Sequence, residues 1–181
     1  TAEALSQIAN GCPAALEIGR AGIASAPWYV PGTWVILGGV GTTGNLLSQV
    51  HSHFGLPFET LDLLAARHEP CQKGKVTMEV TSKKLTTVHF SGDISAAQAA
   101  NAVYEFIINS FLERLKSFGT FADLPKNLII TGGSGKLMEL NRRKAAACGG
   151  LSFEAKGDFE AAAVGAARLA WLAIKAAEIA D

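Results

Sequence analysis

Apolar residues recur with a helical period across the middle of this chain, and that segment limits the folds open to it. Ala96, Ala99, Val103, Ile107, Ser110 and Phe111, Arg114 and Leu115, and Phe118 follow one another at spacings of three and four. Ser95 and Gln98 spell an S-x-x-Q capping box in front of them, and Gly119 closes the run. At about 1.5 Å per residue the spacing predicts a helix roughly 35 Å long. Such a helix crosses a whole sheet, and its apolar stripe needs a layer to lie against.

The flanking sequence supplies that layer. The turn 10–13 precedes an expected first strand at 15–18, which runs into Gly19–Gly22. A second strand, 33–37, runs into a glycine-rich bend. A helix is expected from Asn45 to about Phe54, with Leu46, Leu47, Val50 and Phe54 on one face and Gly55 as its stop. A shorter one carries Phe58, Leu61, Leu64 and Ala65 and ends before Pro70. Val76, Met78 and Val80 alternate with polar neighbours, as do Thr86, Val88 and Phe90, which predicts a hairpin turning at 81–84. Beyond the long helix, Leu128, Ile129 and Ile130 form the continuous apolar run of a doubly covered strand. Gly132 and Gly133 follow, then a helix to Cys148, a turn at 149–150, a strand near 151–153, and an alanine-rich helix from Asp158 to Ile179. No repeat or linker divides the chain. One α/β domain over 1–181 with a mixed sheet flanked by helices is expected.

Composition narrows the partners. Hydrophobic residues are 49% of the chain, charged residues 18%, and the formal net charge is zero, which excludes a disordered chain. Without a basic excess there is no electrostatic case for nucleic acid or an anionic membrane. Cys12, Cys71 and Cys148 are scattered and odd in number, so neither a disulfide framework nor a zinc site is expected. With no run of eighteen apolar residues and no leader pattern, a cytoplasmic protein is expected.

Three glycine turns are candidates for phosphate. Gly39-Val40-Gly41-Thr42-Thr43-Gly44 matches G-x-G-x-x-G, but a dinucleotide site needs an acidic residue ending the next strand, and Glu59 lies in a helix instead. Its backbone N–H groups at a helix start still suit a phosphate. Gly132-Gly133-Ser134-Gly135-Lys136-Leu137 resembles the tail of a Walker A loop, yet Ile130 and Leu137 stand where that loop needs Gly and Ser or Thr. A glycine pair after a strand instead lets a flat ligand lie against the backbone. The third turn is Asn10-Gly11-Cys12-Pro13.

Other residues read as structural. His51 and His53 point about 160° apart on a helix, where metal ligands need i, i+4 spacing. His68 and Cys71 have no partner in reach. Asp93, Asp123 and Asp158 read as caps, and Glu59 and Asp62 as first-turn charges. Trp28, Tyr29 and Trp34 read as core or as an interface. Gly165 costs about 1 kcal/mol in a helix, which a close packing approach would justify. No catalytic residue and no metal-ligand set stands out.

Taken in order, these turns resemble the C-terminal half of the FGGY carbohydrate kinases, relatives of xylulose, gluconate and glycerol kinases. The resemblance runs from the Gly11–Leu16 turn through Pro31–Leu47, the 58–74 linker and Ile130–Ser134 to the closing helix around Gly165-Ala166-Ala167. It implies a ribonuclease-H-like, actin-type ATPase fold and the nucleotide-binding lobe of a two-lobed sugar kinase, which passes the γ-phosphate of ATP to a sugar or polyol hydroxyl. It places adenosine near Gly132, Gly133, Ser134 and Leu137, and phosphates with Mg²⁺ near Thr43, Gly44, Gly11 and Cys12. The sugar and the catalytic base belong to a sugar-binding lobe on a preceding domain or partner chain, so this chain alone is expected to be inactive. A homodimer is a further expected assembly. Two features depart from the family. Cys12 and Pro13 remove a hydroxyl and a backbone N–H from the phosphate turn, and the segment 74–90 is only a short hairpin. Two other classes stay open: a non-catalytic module that binds nucleotide or a partner, and another actin-like kinase such as a type II pantothenate kinase.

Overall fold

The computed structural model describes residues 3–11, 15–41, 43–80, 86–124, 126–149, 151–156 and 163–171. Cys12, Pro13, the 81–84 turn and Asp158 lie outside them. The long helix is present as α4, Ala96–Gly119. Its capping box is complete: the Gln98 amide donates to Ser95 Oγ at 3.1 Å, and the Ser95 amide donates to Gln98 Oε1 at 3.2 Å.

Two layers pack on α4, one at each end. Its C-terminal half lies against an antiparallel sheet of β1 (Glu3–Asn10), β2 (Ile23–Pro27) and β3 (Thr33–Gly41), with β3 in the centre. There Phe118 is enclosed by Ile18, Ile23 and Ile36. The approach is close enough to require glycine at position 38, since an added Cβ would stand 2.8 Å from the Phe118 ring and 3.1 Å from Arg114. The N-terminal half buries Val103, Tyr104 and Ile107 against α2 (Thr43–Phe54) and α3 (Phe58–Ala65), with Leu46, Leu61 and Leu140 in the same cluster. The hairpin of β4 (Val76–Val80) and β5 (Thr86–Phe90) flanks α2. Gln49 of α2 closes the outer edge of β5, donating to Thr86 O at 2.9 Å and accepting from the Val88 amide at 2.8 Å. Between these ends, Phe111 and Leu115 meet Val40 and Leu128. Leu128 belongs to β6 (Asn127–Thr131), which pairs in parallel with β7 (Ser152–Lys156) across α5 (Met138–Ala147).

Much of this follows the sequence pattern. Leu46, Leu47 and Val50 are buried, and Gly55, at φ +66°, ends α2 with its amide on His51 O at 2.8 Å. The two α2 histidines diverge. His51 sits beside Phe58, and His53 stacks on Phe90 at 4.3 Å.

Several expectations change, first of all the single mixed sheet: the described strands form three small sheets, β1–β3–β2 and β4–β5 antiparallel and β6–β7 parallel. The first strand is Glu3–Asn10, ahead of the Gly11 turn rather than after it. Its inward positions include Gln7 and its outward ones Ile8, so the alternation is not a clean apolar one. Residues 15–18 open the six-residue helix α1, Ala15–Arg20, which buries Ile18. The glycine-rich stretch from Gly38 is not a bend but the second half of β3, paired with β1 as far as Glu3–Gly41. Helix α2 accordingly starts at Thr43. Strand β6 is covered on one face, because Ile129 is 59% exposed. Trp28 and Tyr29 form an exposed aromatic pair at the β2–β3 turn. Residues 163–171 are helical and largely exposed, and among the described residues an added Cβ at Gly165 meets nothing within 4 Å, so none of them makes the close approach expected at that glycine. Among the described residues no helix is long and apolar enough to cross a membrane.

Candidate functional site

Strand β6 ends in a turn that only glycine can start. Gly132 has φ +75° and ψ −165°, a region closed to L side chains. Residues Gly133–Lys136 then form one turn of 3₁₀ helix, with the Gly135 amide on Gly132 O at 3.0 Å and the Leu137 amide on Ser134 O at 3.2 Å. Leu137 is buried beside Leu140 and anchors the far side. Asn141 reaches back from α5, donating its Nδ2 to Ser134 O at 2.9 Å and Gly135 O at 3.3 Å. Gly133 is exposed, and a Cβ built there meets no atom of the described residues within 4 Å. The turn thus presents a flat, rigid backbone edge beside open space. Lys136 is exposed.

The start of α5 is held from outside. No side chain of its own caps it. Instead Asp62 of α3, buried, accepts the Glu139 amide at 2.9 Å, the Leu140 amide at 3.2 Å and the Tyr104 hydroxyl at 2.7 Å. Burial, and then the bond to Asp62, push the Tyr104 hydroxyl well above its ordinary pKa. Beside it, Glu139 takes Arg142 at 2.7 Å and Arg143 at 2.7 Å. The Arg142 hydrogen bond, reinforced by Arg143 and opposed by burial, lowers the Glu139 carboxyl to about 2. Arg143 also binds Ala65 O and Asn101 Oδ1, fastening α5 to α3 and α4. His68, expected to lack partners, has two: Arg142 Nη2 at 3.2 Å and Glu139 at 3.4 Å from its Nε2.

The other candidate residues are elsewhere. Thr43 is buried at the start of α2, and its hydroxyl donates to Glu3 at 2.9 Å. Glu3 also carries the buried Lys144 of α5, roughly 10 Å along that helix from Leu137. Gly44 follows Thr43, with its backbone in the first turn of α2. Gly11, at φ +80°, closes its turn through its amide on Gly32 O at 2.9 Å. The register pairs Asn10 with Thr33 and Glu3 with Gly41. Gly11 and Thr43 therefore sit beyond opposite ends of β1, about 25 Å apart at 3.3 Å per residue. The structure groups Gly132, Gly133, Ser134 and Leu137 and does not bring Gly11 to Thr43 and Gly44.

Asn141, Glu3 and Lys144 are residues that sequence reasoning passes over, and Asp62, expected as a first-turn charge, instead lies buried beyond the first turn of α3 with its carboxylate on α4 and α5. A signal existed for one of them: Asp62 lies on the stripe of Leu61 and Ala65, which the helical period already assigns to the core.

No protein-family model matches the sequence, and no curated protein does. Among solved structures, the chain is similar to a xylulose kinase from Brucella ovis, with a TM-score of 0.69 over 89% of this chain at 16% identity. It spans 35% of that kinase's chain. The mixed α/β architecture described above is thus a kinase-like fold, matching about a third of a sugar kinase.

Proposed function

We propose that this chain is the nucleotide-binding part of a kinase that transfers the γ-phosphate of ATP to a sugar or polyol hydroxyl, with adenosine resting on Gly132, Gly133 and Ser134. The observation that carries this is the turn after β6. It joins a left-handed glycine to an open Gly133, in a fold like that of a sugar kinase. The residues fit a nucleoside, because a flat ring lies against Gly133 where a side chain would stand. The backbone N–H groups at the start of α2, around Gly44, are the donors nearest in kind to a phosphate site. Bound ATP with Mg²⁺ would supply the transferable phosphoryl group. This chain's part is to hold and orient the nucleoside and to keep the turn rigid, and positioning of that kind is a large share of phosphoryl-transfer catalysis.

The acceptor and its base belong to a second lobe, on the same longer protein or on a partner chain. The outer face of the β1–β3–β2 sheet, where Ile8 and Leu37 are about half exposed, supports a partner surface. Titrating Mg-ATP and Mg-ADP into the purified chain tests the proposal. Binding without turnover of pentoses, hexoses or polyols is the expected result, and absence of binding refutes it. A second reading, a module that holds nucleotide or a partner without phosphoryl transfer, is supported by the separation of Gly11 from Thr43. Restored transfer on adding a sugar-binding lobe decides against it.

A further inference from the structure

We infer that Asp62 is a positioning residue for the Gly132–Leu137 turn, and that by occupying the start of α5 it confines the ligand's phosphates to the side away from that helix. The ligand part of this inference rests on the nucleotide reading; the positioning part does not.

Four observations lead here. The first turn of any α-helix leaves orphan N–H donors, and at α5 two of them, on Glu139 and Leu140, end on the Asp62 carboxylate. The cap comes from 77 residues away in sequence, on another helix, and is itself braced by the Tyr104 hydroxyl of α4. The turn is bonded directly to this capped helix: Asn141, in its first turns, clasps Ser134 O and Gly135 O. Finally, the helix start already carries two carboxylates, those of Asp62 and Glu139. Glu139 is itself paired with Arg142 and Arg143, so it is the Asp62 carboxylate, holding the two amides a phosphate would otherwise use, that keeps a phosphate from the helix start. A nucleotide at Gly133 is therefore recognised by its nucleoside, while α5 acts as the rigid wall behind it.

Asp62→Asn is the direct probe. An amide has one acceptor oxygen in place of two, so one capped N–H loses its partner. Amide hydrogen exchange should then rise roughly tenfold at Gly135, Leu137, Glu139 and Leu140, with β1 and β3 unchanged. Tyr104→Phe, which keeps both cap bonds, should leave the turn amides within about threefold of wild type. Affinities for adenosine and for ADP should fall by the same factor in Asp62→Asn. Unchanged turn amides, or exchange rising evenly over the whole chain, overturns the positioning role. Tighter ADP binding with weaker adenosine binding overturns the exclusion of phosphate from α5. If Asp62→Asn does not fold, wild-type exchange decides: Glu139 and Leu140 amides should be protected like mid-helix amides, and free exchange there overturns the cap. A wild type that binds neither ligand sinks the proposed function but leaves the exchange arm to judge Asp62.

Discussion

The Lys144 ammonium, fully buried in α5, rests on the carboxylate of Glu3 at the start of β1. The same carboxylate takes the hydroxyl of Thr43, so a single residue ties β1, α2 and α5 together. Removing one partner of such a pair strands a charge away from water. Glu3→Gln should therefore cost about 3 kcal/mol in urea unfolding, and adding Lys144→Met should recover much of it. A single variant within about 0.5 kcal/mol of wild type would show that water reaches the lysine.

Gly38 and Gly39 make a matched pair. A Cβ at Gly38 meets the Phe118 ring at 2.8 Å, while one at Gly39 meets no described residue within 4 Å. Gly38→Ala should destabilise by about 1–3 kcal/mol through overpacking. Gly39→Ala should stay within about 0.5 kcal/mol. Thermal melts of the two decide it, and equal melting temperatures would contradict the packing of α4 on β3.

Acid should unfold the chain partly through Glu139. Its carboxyl falls from an ordinary value of 4.5 to about 2 in the folded chain. A depressed folded pKa stabilises above the unfolded value, and that stability is lost as pH falls from about 4.5 towards 2. With the exposed Arg142 discounted for screening, the contribution is roughly 2 kcal/mol. Glu139→Gln should lower stability at pH 7 and flatten the acid limb over that interval. A variant whose stability runs parallel to wild type between pH 5 and 2 would contradict the ion pairs.

The elements legible in the sequence were those whose periodicity ran long or whose ends were chemically marked. Helix α4 has both, and α2 has Gly55. Strand β1 has neither, because as an edge strand it turns Gln7 inward and Ile8 out. The glycines of β3 carry turn and strand meanings at once, and only the α4 side chains above Gly38 decide between them. At the candidate site the Gly132 turn was legible, since its glycines are consecutive. What braces it was not. Lys144 follows Arg142 and Arg143 with no motif to mark it as buried, and Asp62 acts on a helix far along the chain.

The most direct test of a nucleoside at the β6 turn is a Mg-ADP titration of wild type, Gly133→Val and Lys136→Ala by calorimetry. No described residue lies within 4 Å of a Cβ at Gly133, so valine should leave the fold intact by circular dichroism and abolish binding. Lys136, exposed on the turn, should matter by less than about tenfold, or roughly 1.4 kcal/mol. The reverse pattern, with binding lost in Lys136→Ala and kept in Gly133→Val, would mean a phosphate-gripping lysine and would contradict the assignment.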